Sequence, residues 1–536
     1  MEPVIKEKRL ARAAGAVSFA TLISRILGLM REMVLAKYFP VFATDAFFAA
    51  FRIPNLLRDL FAEGALSAAF VPTFTEYWQN RGREEAWRLA NIVLNALTII
   101  LSVFTLLILF GAKYLVYFLV SGYSKIPGKI ELTVHLTQIM SPFLLTVALA
   151  AAVMGILNTH NRFFIPALAP AFFNLFSILG GIFLAPFMPR FGQEPVTAMA
   201  IGSLVGGAAQ LYVQIPSLYA AGFHYQGVID WNHPGLRRIM RLMLPAAFGL
   251  AATQINILID NQLASYLGNG PVSWLNYAFR LMQLPIGLFG VAIATVSLAT
   301  VSKRVASNDL AGVRSNLAEA IKLAAFLNIP ATFGLMFLRY PIVQVLYERG
   351  RFIHDYTINT GDALLFYSLG LYAYSLVKIV TPIFYALGDT RTPVKFAALV
   401  IAIKIAVNLS LIRHLGFMGL AMATSIASIL NTVFLLNALK RRIGGLSGYG
   451  IVRSLLKITV ASLAMGAAGW WLHPWVAGII GSARLIPRAE SLLVTIVAAF
   501  ALFIALSYLL RIEQVHDLIR MLRRRFESKP NNVTPD

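Results

Sequence analysis

Hydrophobic positions in this chain come in long blocks rather than in alternating or amphipathic patterns. Blocks near 20 residues read as membrane spans, because about 20 residues at 1.5 Å each cross the hydrocarbon core. Fourteen are present, at roughly 13–36, 43–76, 89–111, 132–155, 163–187, 196–221, 243–266, 272–299, 317–337, 358–385, 393–412, 417–437, 455–474 and 489–510. Gly64 and Pro72 are expected to break or bend the long second block. The pattern predicts an all-α polytopic membrane protein. The polar gaps reach only about 20 residues, too short for a soluble catalytic domain.

Composition agrees and then adds a question. The 536 residues are 58% hydrophobic and 13% charged, with a mean hydropathy of +0.71, whereas soluble domains carry about 45–50% apolar and about 25% charged residues. Without cysteine the chain has no disulfide, no Cys-based zinc or iron–sulfur site and no thiol catalysis. Its 46 Lys and Arg against 24 Asp and Glu give a net charge of +22. So basic a chain raises the prospect of nucleic acid, but 37 Phe and long uncharged runs argue for a membrane instead.

The distribution of charge resolves the matter. With the N-terminus inside, 27 Lys and Arg fall in or beside inner segments, 11 in outer loops and 8 within spans. That bias places both termini in the cytoplasm, where anionic headgroups attract the tail "RMLRRRFESK". The first block is not a cleaved signal peptide, since Arg25 interrupts it and no small-residue cleavage site precedes Arg31. The Pro/Asn-rich end beyond Arg511 is expected to be disordered.

At an offset of 228 residues the chain resembles itself. Leu35-Ala36-x-Tyr38 with Ala50-Phe51-Arg52 matches Leu263-Ala264-x-Tyr266 with Ala278-Phe279-Arg280, without a gap. Spans 1–6 (residues 1–228) and spans 7–12 (229–445) then form two lobes in parallel repeat, with spans 13–14 and a basic tail at 446–536. Parallel repeats about an axis along the membrane normal are a transporter architecture, with the site near the midplane.

Charge inside a span is costly, at least about 2.5–3.5 kcal/mol on insertion scales, and survives where it faces a cavity or partner. Here it concentrates in the first two spans, as Arg25, Arg31, Glu32, Asp45, Arg52, Arg58, Asp59 and Glu63. Asp260, Arg280, Lys378 and Lys404 stand in later spans. Spacing by seven lines up Asp45, Arg52 and Asp59, and likewise Arg25 with Glu32, so one account is a set of neutral structural pairs. Among Arg25, Arg31, Arg52, Arg58 and Arg280, however, cations outnumber acids, and guanidinium forks around a cavity suit a phosphate-like head.

Other chemistries find little support. No G-x-x-x-x-G-K-[ST] or H-E-x-x-H occurs, and most of the eight His lie near span ends, where interfacial packing accounts for them. A membrane enzyme acting on a lipid phosphate needs a water-facing acid/base set, and none is visible. A non-transporting scaffold would tolerate loss of Arg25 or Arg280.

The runs "SRILGLMRE", "TDAFFAAFRIPNLLRDLFAEGALSAAFVPTF" and "NYAFRLMQLPIGLFGVAIATVSL" resemble the bacterial lipid II flippase (MurJ, or MviN) family of the multidrug/oligosaccharidyl-lipid/polysaccharide exporter superfamily. The likeness covers essentially the whole chain, including the extra C-terminal pair of spans. It implies transport of undecaprenyl-pyrophosphate-linked disaccharide-pentapeptide from the inner to the outer leaflet of the bacterial cytoplasmic membrane, for peptidoglycan synthesis. The family's essential arginines match Arg25, Arg31, Arg58 and Arg280, and its acidic positions match Asp45 and Glu63. All six stand among the intramembrane charges above. Arg52 joins the substrate-binding set, while Asp45 and Glu63 would tune the cavity or gate.

The resemblance further implies alternating access driven by membrane potential or an ion gradient, with no enzymatic step and no nucleic-acid partner. The partners are lipid II and membrane lipids, and the protein is expected to work as a monomer near the cell-wall synthesis machinery. Pro54, Gly64, Pro285, Gly287 and Gly290 are candidate bending points in spans 2 and 8, with ordinary membrane-helix packing of Gly and Pro the alternative. Some relatives hold sodium between spans 7, 11 and 12. The matching positions are Asp260, Lys404, Asn408 and Thr424, where Lys404 departs from the pattern by putting an ammonium in place of a neutral ligand. No other cofactor is implied: either sodium binds, or Lys404 pairs with Asp260 as a tethered cation, or Lys404 reaches an interface instead. The remaining transport alternative is an exporter of another lipid-linked oligosaccharide or a drug.

Overall fold

The structure, a computed structural model, describes residues 2–58, 66–482, 484–517 and 520, with side chains for all of these except 2–14, 57, 67, 68 and 245–253. The described residues contain helices and turns and no strand, so the all-α polytopic class holds. Eleven of the fourteen expected spans are long apolar helices, one of them a pair bent by 44° (His354–Ser368 and Leu371–Ala386). The other three fall on helices that carry the intramembrane charges or that reach into segments outside the description: Glu2–Tyr38, Val41–Arg58 with Ser67–Asn80, and Pro234–Ser265.

The chain forms two compact units, Met1–Ser273 with Arg349–Ile353, and Trp274–Glu348 with His354–Asp536. The first holds α1 (Glu2–Tyr38), α2 (Val41–Arg58), α3 (Ser67–Asn80), α4 (Arg83–Val120), α5 (Lys129–Met140), α6 (Phe143–Thr159), α7 (Phe164–Leu179), α8 (Thr197–Tyr212), α9 (Ile215–Tyr219) and α10 (Pro234–Ser265). Their starts follow local rules. Glu84 and Glu85 sit in the first turn of α4, where the helix dipole favours acids. The His233 imidazole accepts from the Gly235 N–H ahead of α10, and Pro234 opens that helix, where its missing N–H costs nothing.

Packing in this unit centres on Leu35, Phe39, Phe47, Leu136, Met140 and Met199, which bring α1, α2, α5 and α8 together. Helices α7 and α8 pack backbone to backbone through Gly202-x-x-x-Gly206, a small-residue motif common between membrane helices. A Cβ on Gly202 would stand 2.6 Å from the Phe176 carbonyl oxygen. In the second block, α3 runs through Pro72 without a break, so Pro72 does not interrupt the span; Gly64 lies outside the described residues. Pro54 sits inside α2, and α2 continues past it.

The second unit takes most of α11 (Pro271–Pro285), then α12 (Val291–Ala306), α13 (Leu310–Phe337), α14 (Arg339–Tyr347), α15 (His354–Ser368), α16 (Leu371–Ala386), α17 (Arg391–Leu415), α18 (Phe417–Ile443), α19 (Ile451–Ile480) and α20 (Leu485–Leu509). Between α11 and α12 a π-turn occupies Ile286–Gly290, directly after Pro285, whose ring and missing N–H disturb the ordinary helical ladder. Val301, Leu317, Ile383, Phe384 and Leu435 form one core. A second core of Phe326, Ile458, Met465 and Phe503 fixes the C-terminal pair α19 and α20 against α13.

Candidate functional site

The intramembrane charges divide into groups with different surroundings. Asp45 and Lys129, both 0% exposed, form an ion pair at 2.8 Å where α1 ends and α2 begins. Asp45 Oδ2 also accepts the Gly270 N–H at 2.7 Å, and its Oδ1 accepts the Ser273 N–H at 2.8 Å. The carboxylate therefore caps the first turn of α11, where backbone N–H groups and the helix dipole favour an anion. Gly270 has φ +114°, a conformation that L side chains rarely adopt. The Ser273 hydroxyl meets that of Thr44 at 2.8 Å.

Lys129 is equally well accommodated. Its ammonium donates to Asp45 Oδ2 and, at 2.7 Å, to Asn269 Oδ1. It also lies 4.0 Å from the centroid of the fully buried Tyr123 ring, an additional cation–π contact. Removing one member of a buried pair costs about 3–5 kcal/mol, because the other is left charged and dry. Asp45 and Ser273 are 228 residues apart, the offset of the internal repeat.

The paired-charge account from spacing is corrected here. Asp45 pairs with Lys129 rather than Arg52, and Glu32 is bonded by its neighbour Arg31 at 2.7 Å rather than by Arg25. Spacing along one helix misses partners supplied by another: α5 delivers Lys129 from 84 positions away. Asp59 and Glu63 lie outside the described residues.

The arginines are not alike. Arg31 is buried, with its guanidinium carbon 5.2 Å from the Phe173 ring and 5.7 Å from Phe51. Arg52 and Arg58 are half-buried on α2. Arg25 on α1 and Arg280 on α11 are exposed, and neither has an ion-pair partner among the described residues. An exposed guanidinium without an ion-pair partner among the described residues, inside a block apolar enough to be read as a span, offers donors to an incoming anion.

In the second unit, α17 is largely exposed, and its few buried residues include Val400, Lys404 and Asn408 at successive fourth positions. Lys404 is 1% and Asn408 0% exposed, and Thr424 is buried on the neighbouring α18. Lys404 therefore faces the protein and does not reach an interface. Asp260 is half-buried on α10.

Three polar constellations escaped the sequence reading. Lys129 passed for an outer-loop charge, although a cation in the first turn of a helix opposes the dipole and so hints at a specific partner. Asn91 and Asn95, one turn apart on α4, hold the extended 224–228 segment through bonds to His224, Gln226 and Val228 backbone groups. Glu348 gathers Gln344, His354, Thr357 and Arg488. Partial burial works to raise its pKa, but the bonds from Gln344, Thr357 and His354 outweigh this and hold the carboxyl below its ordinary value. A groove of about 480 Å³ beside α8, lined by Thr146, Val205, Leu211, Tyr212 and Ile215, includes none of the predicted site residues.

The family model described as lipid II flippase MurJ matches residues 35–486. The chain is 37% identical over 479 residues to a probable lipid II flippase MurJ of Vibrio cholerae, covering 87% of this chain and 89% of the relative. It is 34% identical to the lipid II flippase MurJ of Burkholderia cenocepacia, over 86% and 90% of the two chains. Among solved structures, a lipid II flippase MurJ in an inward closed conformation superposes with a TM-score of 0.77 at 30% identity, covering 94% of this chain and 99% of that one. An inward-facing multidrug transporter of the MATE family shares the fold at 16% identity and a TM-score of 0.67, over 81% and 98%.

Proposed function

The chain belongs to the lipid II flippase MurJ family, and we propose from that premise how its own residues move the substrate. It is a multi-pass membrane transporter that carries lipid II, the lipid-linked peptidoglycan precursor, across the bilayer for cell-wall synthesis. The observation that carries the proposed mechanism is the exposure of Arg25 and Arg280, inside apolar blocks and without ion-pair partners among the described residues.

Lipid II presents a pyrophosphate between its lipid and its sugars. The planar forks of Arg25 and Arg280 offer paired N–H donors of the right geometry for phosphate oxygens. Within the first unit, Arg31, Arg52 and Arg58 add positive potential beside Arg25, with Arg31 oriented by Glu32 and by the Phe51 and Phe173 rings. The polyprenyl tail stays in the lipid while the head crosses, which spares the free energy of exposing it to water. The positive-inside bias places both termini in the cytoplasm. Loading then occurs from the inner leaflet, and alternating access releases the head outside. Asp45 belongs to the gate, because it holds the first turn of α11. The chain works as a monomer, in the bacterial cytoplasmic membrane.

Lys404 supplies the fixed positive charge that a bound cation would otherwise bring to the α17–α18 face. Its burial beside Asn408 on a largely exposed helix supports this role. Lys404→Met should then abolish transport, and transport by the wild-type protein should be indifferent to sodium. A strict sodium requirement in wild-type proteoliposomes overturns the tethered-cation proposal.

The test of the function itself is leaflet accessibility of lipid II in cells depleted of their own flippase. Expression of this chain should restore precursor to the outer leaflet. Precursor that stays confined to the inner leaflet rejects the assignment.

A further inference from the structure

We propose that Lys129 is a positioning residue for the outer gate: it acts through Asp45 to latch the 269–273 segment that starts α11. Nothing in hydropathy marks it, since it precedes the apolar part of its span. The side chain is nonetheless fully buried, and its ammonium meets one carboxylate oxygen, one amide oxygen and one aromatic face. An ammonium has three N–H donors. Two make hydrogen bonds to Asp45 and Asn269, and the Tyr123 ring lies within reach of the charge.

The latch works by division of labour. Asp45 needs both oxygens for backbone donors, Oδ2 for Gly270 and Oδ1 for Ser273. It accepts both fully only as a carboxylate, and a dry carboxylate needs a countercharge. Lys129 provides that charge through the oxygen facing Gly270, and a second bond from the same ammonium holds Asn269 next in the chain. Lys129 therefore restrains the segment directly through Asn269 and indirectly by holding the Asp45 carboxylate that bonds Gly270 and Ser273. Opening at this end must separate or hydrate the pair. The gating role rests on the alternating-access reading above, whereas the latch itself is a property of the folded chain.

Because the chain has no cysteine, one introduced thiol reports on the latch without background. Val272 is 1% exposed and adjoins Ser273, so Val272→Cys in the purified full-length protein should react slowly with a polar maleimide. Lys129→Met and Asp45→Asn should each raise the reaction rate at least about tenfold, the size of a change of about 1.4 kcal/mol in a pre-equilibrium opening. Since Lys129 acts chiefly through Asp45, the double variant should react no faster than the faster single variant. A Lys129 that merely packs α5 would instead multiply the two effects. Unchanged labelling in Lys129→Met, or a multiplicative double variant, overturns the proposal. Should Lys129→Met fail to accumulate, the neutral pair Asp45→Asn with Lys129→Met must restore accumulation; its failure also overturns the proposal. Labelling needs no substrate, so its outcome is independent of whether lipid II is the cargo.

Discussion

Two sets of charge in this membrane protein are handled in opposite ways. Asp45 and Lys129 are 0% exposed, and each of their polar atoms that the structure shows bonded is bonded within the protein. Arg25 and Arg280 are exposed and lack ion-pair partners among the described residues. The desolvation cost of the first set is offset inside the fold, so that set holds backbone in place. The second set leaves its donors open, so its reward must come from something that binds. In a bilayer, burial with partners signals architecture, and exposure without them signals a ligand.

The largest effect that sharpens this comparison should come from the open arginines. Arg25→Ala and Arg280→Ala should each lower lipid II transport by about a hundredfold or more, as expected when a charge-assisted phosphate contact worth roughly 3 kcal/mol is lost. Thermal unfolding should stay within about 0.5 kcal/mol of wild type, since exposed positions contribute little to stability. A large fall in stability at either position would move it into the architectural set and break the comparison.

A smaller effect separates charge from shape. Arg25→Lys and Arg280→Lys keep the charge and lose the bidentate fork, so transport should fall about tenfold in the same leaflet assay. Full activity with lysine would show that the potential alone suffices. Next in size is a purely architectural case. Asn91→Leu leaves the backbone groups of His224 and Gln226 without their side-chain partner, and unmade buried bonds cost about 1–3 kcal/mol each. Denaturation in detergent should register that loss, while lipid II binding by the folded fraction stays unchanged.

The smallest effect concerns a helix end outside the spans. The Gly312 N–H and then Arg304 hold Asp309 below the ordinary carboxylate pKa, so ionised Asp309 stabilises the start of α13. A depressed folded pKa contributes stability that is fully present above the unfolded value and lost as pH falls through the folded one. The melting temperature of Asp309→Ala should therefore lie slightly below wild type at neutral pH. That gap should close only below the usual carboxylate range, as pH-dependent thermal scans can check.

Much of the architecture was legible along the chain because membrane insertion is scored locally. Eleven blocks appear as long apolar helices, and Arg25 and Arg280 stood out because a guanidinium in such a block is expensive. For Asp45 and Glu32 the pairing expected from spacing failed for an equally physical reason. Spacing by seven shows what shares a face on one helix, but a buried carboxylate takes the best-placed cation from any helix. Lys129 looked like loop charge because its place in the sequence says nothing about α5 tucking that end under Phe42 and Tyr123. Lys404 was ambiguous between snorkelling and burial until α17 showed which of its faces is covered.

Hydropathy and charge bias, read residue by residue, determined that this is a polytopic helical membrane protein, and the motif runs determined its family. Both follow from terms summed along the chain: apolar length against bilayer thickness, and cations against the leaflet they flank. Only the tertiary structure decided which charges are satisfied and which are open. Hydrogen bonds and ion pairs act over a few ångströms of space, and the backbone folds bring Asp45, Lys129 and Ser273 to one point from three distant parts of the sequence.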